Sequence, residues 1–129
     1  MATTIEEVLQ TLGDDFPDST VTYTPDGSGG GAAVVNPVDL GPQYTPRESW
    51  IGAQLTPALP FADIYPVFID GAVARVDGKP HQVPISTGHA FAGRSAIQVS
   101  LRTNNLMATV EAAASKFTKA LHFVREAGK

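Results

Sequence analysis

The sequence predicts an α+β domain in which a four-stranded antiparallel meander is flanked by an N-terminal helix and a longer C-terminal helix. Apolar residues recur with helical spacing near the two ends of the chain, and runs rich in β-branched and aromatic residues lie between them. No helix long enough to connect parallel strands separates these runs, so we expect antiparallel pairing. A chain of 129 residues suits one domain, which we assign to residues 1–129.

The N-terminal helix is predicted over Thr4 to Leu12. Its apolar stripe consists of Ile5, Val8, Leu9 and Leu12. Thr4 with Glu7, or Thr3 with Glu6, has the spacing of a capping box at the start of the helix. Gly13 is expected to end it, because glycine is common just after the last helical residue.

The middle of the chain is predicted to form strands separated by turns. The four predicted strands are Ser19–Tyr23, Ala32–Val38, Ser49–Thr56 and Val67–Ile69. A glycine-rich run over residues 25–31 is typical of an exposed hairpin tip between the first two. The segment 57–66 contains three prolines and is expected to be extended but irregular.

The last third begins with a predicted long loop, Asp70 to Gly93, followed by a short extended piece over Ser95–Leu101. The C-terminal helix is predicted to start at Thr103 or Asn104. Its buried face consists of Met107, Val110, Ala114, Phe117, Leu121 and Val124. Three basic residues are expected in its C-terminal half, where they favour the helix dipole: Lys116, Lys119 and Arg125.

Composition excludes several classes of function. Nine basic and thirteen acidic residues give a net charge of −4, which does not favour nucleic acid as a partner. The absence of cysteine excludes disulfides, thiolate metal sites and thiol nucleophiles. The chain has no apolar run of membrane-spanning length and its N-terminus does not resemble a secretory signal, so we predict a cytoplasmic protein with no membrane partner.

Local motifs for metal or cofactor chemistry are weak. His81, His89 and His122 form no recognisable ligand pair, and each is interpreted as structural or solvated. The glycine run over residues 27–31 lacks the lysine and helix start of a phosphate-binding loop, and no serine has the glycine flanks of a nucleophile elbow. We therefore predict neither a metal nor a cofactor.

Two runs resemble the middle section of the ubiquitin-conjugating (UBC) superfamily: Gly41-Pro42-Gln-Tyr-Thr45-Pro46, and, after a strand, Leu59-Pro60-Phe-Ala-Asp-Ile-Tyr65-Pro66. Within the superfamily, the chain is more similar to the prokaryotic ubiquitin-conjugating family E. That likeness is carried by Tyr65-Pro66, Val67–Ile69, Phe91–Arg94 and Gln98–Arg102. A tryptophan and a histidine expected after the serine are missing, since residues 101–104 read Leu-Arg-Thr-Asn.

The resemblance implies a single UBC-like domain that acts as a carrier in a bacterial ubiquitin-like conjugation pathway. It would receive the C-terminus of a modifier and pass it to an amine. The implied partners are an adenylating activating enzyme, a ubiquitin-like modifier and an acceptor protein. No cofactor is implied for this chain, because ATP is consumed at the activation step.

The missing cysteine is the main departure from the superfamily, whose ordinary members hold the modifier as a thioester. A carrier without sulfur would have to form an oxyester on a hydroxyl, and a hydroxyl needs an assisting base or oxyanion donor. Ser100 is the first candidate, because the resemblance places a serine there, and Ser95 is the second. His89 is the candidate base, and Asn104, or its neighbour Asn105, is the candidate oxyanion donor.

Other interpretations stay open. The main alternative is a non-catalytic UBC-like variant that acts as a scaffold or adaptor for an activating enzyme or a ubiquitin-like partner. A small globular adaptor unrelated to ubiquitin is a third. The plain interpretation of Ser100 is a strand-end serine bonded to backbone, and that of His89 is a solvated loop residue.

Overall fold

The computed structural model describes residues 3–129, which form two helices and eight strands. In chain order these are α1 (Thr4–Asp15), β1 (Thr20–Pro25), β2 (Gly31–Asp39), β3 (Tyr44–Thr45), β4 (Glu48–Leu55), β5 (Val67–Asp70), β6 (Ala74–Arg75), β7 (Ile85–Phe91), β8 (Arg94–Val99) and α2 (Val110–Ala127). Six strands form one antiparallel sheet in the order β1-β2-β4-β5-β8-β7, and β3 pairs with β6. The predicted α+β class is confirmed, but the predicted four-stranded meander is wrong because the sheet has six strands.

One face of the sheet carries the main core. A row of apolar side chains crosses four strands, because Val35 pairs with Ile51, Ile51 with Ile69, and Ile69 with Ile97. All four are fully buried. The two helices pack on each other and on this face, and Phe117 of α2 is the largest fully buried side chain. We call this the inner face.

The second half of the sheet contains a hairpin that the sequence did not predict. β7 lies within the predicted loop Asp70–Gly93, and it pairs with β8 through a two-residue turn. Ala92 and Gly93 in this turn have φ angles of 51° and 76°, as the tight turn of a twisted hairpin requires. β7 is an edge strand in which only Ile85 and Phe91, at its two ends, are buried, so it lacks the apolar alternation that predicts a strand.

Both helices differ from prediction at an end. α1 is capped by Thr3, whose hydroxyl accepts a hydrogen bond from Glu6 N at 3.1 Å, and it continues past Gly13 to Asp15. α2 starts at Val110, because Thr109 caps it by accepting from Ala112 N at 3.1 Å. Met107 therefore lies outside the helix and is 66% exposed, whereas the other five predicted face residues pack in the core.

The opposite, outer face of the sheet carries a small aromatic cluster. The Phe68 and Phe91 rings are 4.9 Å apart between centroids, and Trp50 lies 6.0 Å from Phe91. The Arg94 guanidinium lies 5.6 Å from the Trp50 ring. No helix of the described chain contributes to this cluster, although Val34, Trp50, Phe91 and Ala96 are all buried. Neither helix over residues 3–129 is long and apolar enough to cross a membrane.

Candidate functional site

A serine and a histidine meet on the outer face of β7. Ser86 Oγ lies 3.0 Å from His89 Nε2, and both side chains are half-buried. In a regular strand, residues three apart point to opposite faces and lie about 10 Å from each other. Their contact therefore requires a departure from regular strand geometry.

A β-bulge provides that departure. Ser86 pairs with Gln98 and His89 pairs with Ala96, so two residues of β7 face one residue of β8 between these pairs. Gly88 lies in the bulge with a φ of 83°, a left-handed conformation that favours glycine. The extra residue returns His89 to the face of Ser86. Bulges commonly redirect side chains in this way next to functional sites.

Two further polar side chains continue this cluster onto β8. Gln98 lies directly across from Ser86, and its Nε2 donates to Ser100 Oγ at 2.8 Å. The backbone N–H of Ser100 donates to the Pro84 carbonyl at 2.9 Å, which extends the hairpin pairing by one step. Ser86, His89, Gln98 and Ser100 thus form one polar cluster, which we call the hairpin cluster.

The four predicted site residues are not assembled into one site. His89 contacts Ser86, and Ser100 is bonded to Gln98. Ser95 directly precedes Ala96, which lies on the outer face of β8, so the Ser95 side chain lies on the opposite face. The backbone carbonyl of Ser95 accepts a hydrogen bond from Gly71 N at 3.0 Å. Asn104 is exposed in the segment between β8 and α2. The structure therefore brings His89 and Ser100 to the same face and places Ser95 on the other, while Asn104 lies in the exposed segment that follows.

Ser86 was missed by sequence reasoning. The available signal was Gly88, because an isolated glycine within a strand pattern suggests a bulge, and a bulge brings residues three apart onto one face. That signal was hidden by the interpretation of the whole segment as a loop.

An ion pair between the buried Lys116 and the half-buried Asp63 joins α2 to the proline-rich segment. Lys116 is only 3% exposed, and its Nζ lies 2.9 and 3.0 Å from the two carboxylate oxygens of Asp63 and 3.0 Å from Thr103 Oγ1. Thr103 donates to the same carboxylate through its N–H and its hydroxyl, both at 2.8 Å. Lys116 therefore lies buried in the first half of α2, and its predicted position in the C-terminal half is wrong because the helix begins later than predicted.

The charge of Asp63 is well compensated. Burial raises the pKa of the Asp63 carboxyl, but the hydrogen bonds from the Thr103 N–H, from Lys116 Nζ and from the Thr103 hydroxyl outweigh burial and lower the pKa below its ordinary 3.8. The same contacts explain why Thr103 does not cap α2. Its N–H and its hydroxyl donate to the Asp63 carboxylate, so the hydroxyl does not accept from a backbone N–H at the start of a helix.

Large apolar side chains project from the two segments that this ion pair fastens. Phe61 is 79% exposed and precedes Asp63 by two residues, while Met107 is 66% exposed and Leu106 is 37% exposed. The segments also meet where the Arg102 guanidinium lies 3.9 Å from the Tyr65 ring centroid. We call Phe61, Leu106 and Met107 the apolar rim.

The motifs that resemble the UBC superfamily are distributed over the fold. Tyr65-Pro66 leads into β5, and Gln98–Arg102 runs from β8 into the segment before α2. In residues 3–129, no three His, Asp or Glu side chains are grouped so that they could hold a metal ion. Comparisons with protein-family models, with curated proteins and with solved structures give no match to this chain.

Proposed function

We propose that this chain is a UBC-like protein of a bacterial ubiquitin-like conjugation pathway that acts as an adaptor for the activating enzyme or the ubiquitin-like modifier. The motifs around Tyr65-Pro66 and the absence of cysteine support it. The α+β architecture, an antiparallel sheet with a terminal helix packed on it, is compatible with the proposal. The observation that carries the proposal is the apolar rim.

The apolar rim has the properties of a protein-binding surface. Phe61 and Met107 expose large apolar area to water, and burying it against a partner is favourable. The segments that bear them are held to α2 by Asp63, Thr103 and Lys116. Because the segments are already ordered, binding loses less conformational entropy than binding by free loops.

The test is a titration of the activating enzyme and of the modifier against a Phe61→Ser/Met107→Ser variant. Truncating central apolar anchors of an interface costs about 2 kcal/mol or more, so we expect at least about 30-fold weaker binding. Val76→Ser is the matched control, because Val76 is 59% exposed but follows Arg75, whose guanidinium bonds the Ala127 carbonyl at the far end of α2. Unchanged binding by the rim variant, or binding of neither protein by the wild type, contradicts the adaptor.

A second candidate function is the hydroxyl-based carrier, and the contact between Ser86 and His89 favours it. Incubation with activating enzyme, modifier and ATP would then give an adduct that resists reducing agent and is cleaved by hydroxylamine. Ser86→Ala, Ser100→Ala and Ser95→Ala separate the three possible attachment sites, and Asn104→Ala tests the proposed oxyanion donor. If an active activating enzyme gives no adduct, the carrier function is excluded and the adaptor function remains.

A further inference from the structure

We propose that Ser86 is a nucleophile that His89 activates, and that it accepts acyl groups from activated acyl donors such as thioesters and aryl esters. This activity goes beyond the adaptor and does not depend on it. It also supplies the hydroxyl-based carrier with a candidate attachment atom, Ser86 Oγ, in addition to the predicted Ser100 and Ser95.

The distance between the two groups suits general-base assistance. Ser86 Oγ and His89 Nε2 are 3.0 Å apart, within the range of about 2.6–3.2 Å that such pairs adopt. The contact depends on the bulge at Gly88, which places both half-buried side chains on the outer face, opposite the two helices. A donor can therefore approach without displacing a helix.

Gln98 is placed to assist the same step. It is the direct cross-strand neighbour of Ser86, at a distance of about 4.5–5.5 Å between Cβ atoms for such pairs. Its amide nitrogen carries two N–H groups, and one bond to Ser100 Oγ leaves a second for another acceptor. The second N–H would stabilise the negative oxygen of a tetrahedral intermediate on Ser86.

The proposed step is a balanced acyl transfer. As Ser86 Oγ forms its bond to the carbonyl carbon of the donor, its proton passes to His89 Nε2. The bond from that carbon to the sulfur or aryl oxygen then breaks, and the leaving group takes the proton from His89 Nε2, which returns the imidazole to its neutral form. The products are an oxyester on Ser86 and the free thiol or phenol, with no change of oxidation state.

The test uses p-nitrophenyl acetate on the whole protein, with the acetylated residues located by peptide mass mapping. We expect acetyl-Ser86 to form faster than acetylation of Ser95, an exposed serine of the same hairpin. Ser86→Ala should remove that modification, and His89→Gln should slow it by about 10²–10⁴-fold. Added imidazole should raise the rate at Ser86 in His89→Gln by a larger factor than the rate at Ser95, which reports the background reaction of imidazole with the ester.

His81→Gln is the matched control, because His81 is also half-buried and its Nε2 contacts a backbone carbonyl, that of Val73, at 2.9 Å. It should leave acetylation of Ser86 unchanged. Acetylation of Ser86 no faster than that of Ser95, or an unchanged rate in His89→Gln, overturns the proposal. The rim variant Phe61→Ser/Met107→Ser should still acetylate Ser86, so failure of the adaptor and failure of this inference are distinguishable.

Discussion

Lys116 Nζ lies 2.9 and 3.0 Å from the two carboxylate oxygens of Asp63, a residue 53 positions earlier in the chain. This contact fixes the proline-rich segment onto α2 and supports the apolar rim. Because Lys116 is 3% exposed, its charge depends on that carboxylate for compensation.

Asp63→Ala should destabilise the protein strongly, since it leaves the Lys116 ammonium buried without a counter-charge. Removing one partner of a buried ion pair costs about 3–5 kcal/mol. The double variant Asp63→Leu/Lys116→Met should recover much of the loss, because no uncompensated charge remains. Urea unfolding of the two variants measures both effects, and an equal loss in both would show that the ion pair is not the cause.

Acid should weaken the same contact. Burial raises the pKa of Asp63, but the hydrogen bonds from Thr103 and Lys116 lower it by more than burial raises it. The pKa therefore lies below the ordinary 3.8. The unfolded chain then binds this proton more readily than the folded chain. The contribution of Asp63 is complete above about pH 4, the ordinary range of this carboxyl, and is lost as the pH falls through the lowered value.

The free energy of unfolding, measured between pH 7 and pH 2, should therefore fall more steeply for the wild type than for Asp63→Asn. The other carboxylates titrate in both proteins, so the difference between the two curves reports Asp63 alone. Parallel curves over this range would contradict the assignment.

The start of α2 can be tested at its cap. Thr109→Ala removes the hydroxyl that accepts from Ala112 N and should cost about 1 kcal/mol. Asn104→Ala, at a position where the sequence predicted the cap, should change stability by less than about 0.5 kcal/mol, as for most surface substitutions. Thermal or urea unfolding measures both losses of stability. A larger loss for Asn104→Ala than for Thr109→Ala would indicate that α2 begins near Asn104, as the sequence predicts.

Two glycines with open space around them should respond in opposite ways to alanine. Gly13→Ala lies in α1 and should stabilise the protein by about 0.5–1 kcal/mol, because alanine loses less backbone entropy there. Gly88→Ala should destabilise it by about 1–2 kcal/mol, because its φ of 83° strains an L-residue. Gly88→Ala should also slow acetylation of Ser86; a normal rate would show that the bulge does not position His89.

The elements with strong apolar periodicity were predictable from the sequence. The strands containing Val35 and Ile51 pair as expected, and Phe117 lies on the buried face of the last helix. β7 was not predictable, because an edge strand has only one neighbour and most of its side chains meet water. The burial of Lys116 was not predictable either, since its partner is distant in sequence and the fold alone brings them together.

The hairpin cluster was predictable in part. His89 was singled out as a base, but its partner could not be identified from spacing, because the register of β7 against β8 and the bulge within it decide which hydroxyl is near. Ser95 and Ser100 are five residues apart in β8 and the residue after it, and this odd spacing alone places them on different faces of the sheet. Ser86 is the serine nearest to His89 in sequence, but a spacing of three residues in a regular strand predicts opposite faces, and only the bulge brings the two side chains together.

The packing of α1 on α2 has a consequence for synthesis of the protein. The inner face of the sheet is formed by residues up to Val99, yet Phe117 and the rest of the α2 face are needed to cover it. While the ribosome still holds residues 110–127, the nascent chain exposes the part of the apolar inner face that α2 covers in the folded protein. We expect the cooperative fold to form only after α2 emerges, so a nascent chain stalled before Val110 should be protease-sensitive and should recruit chaperones.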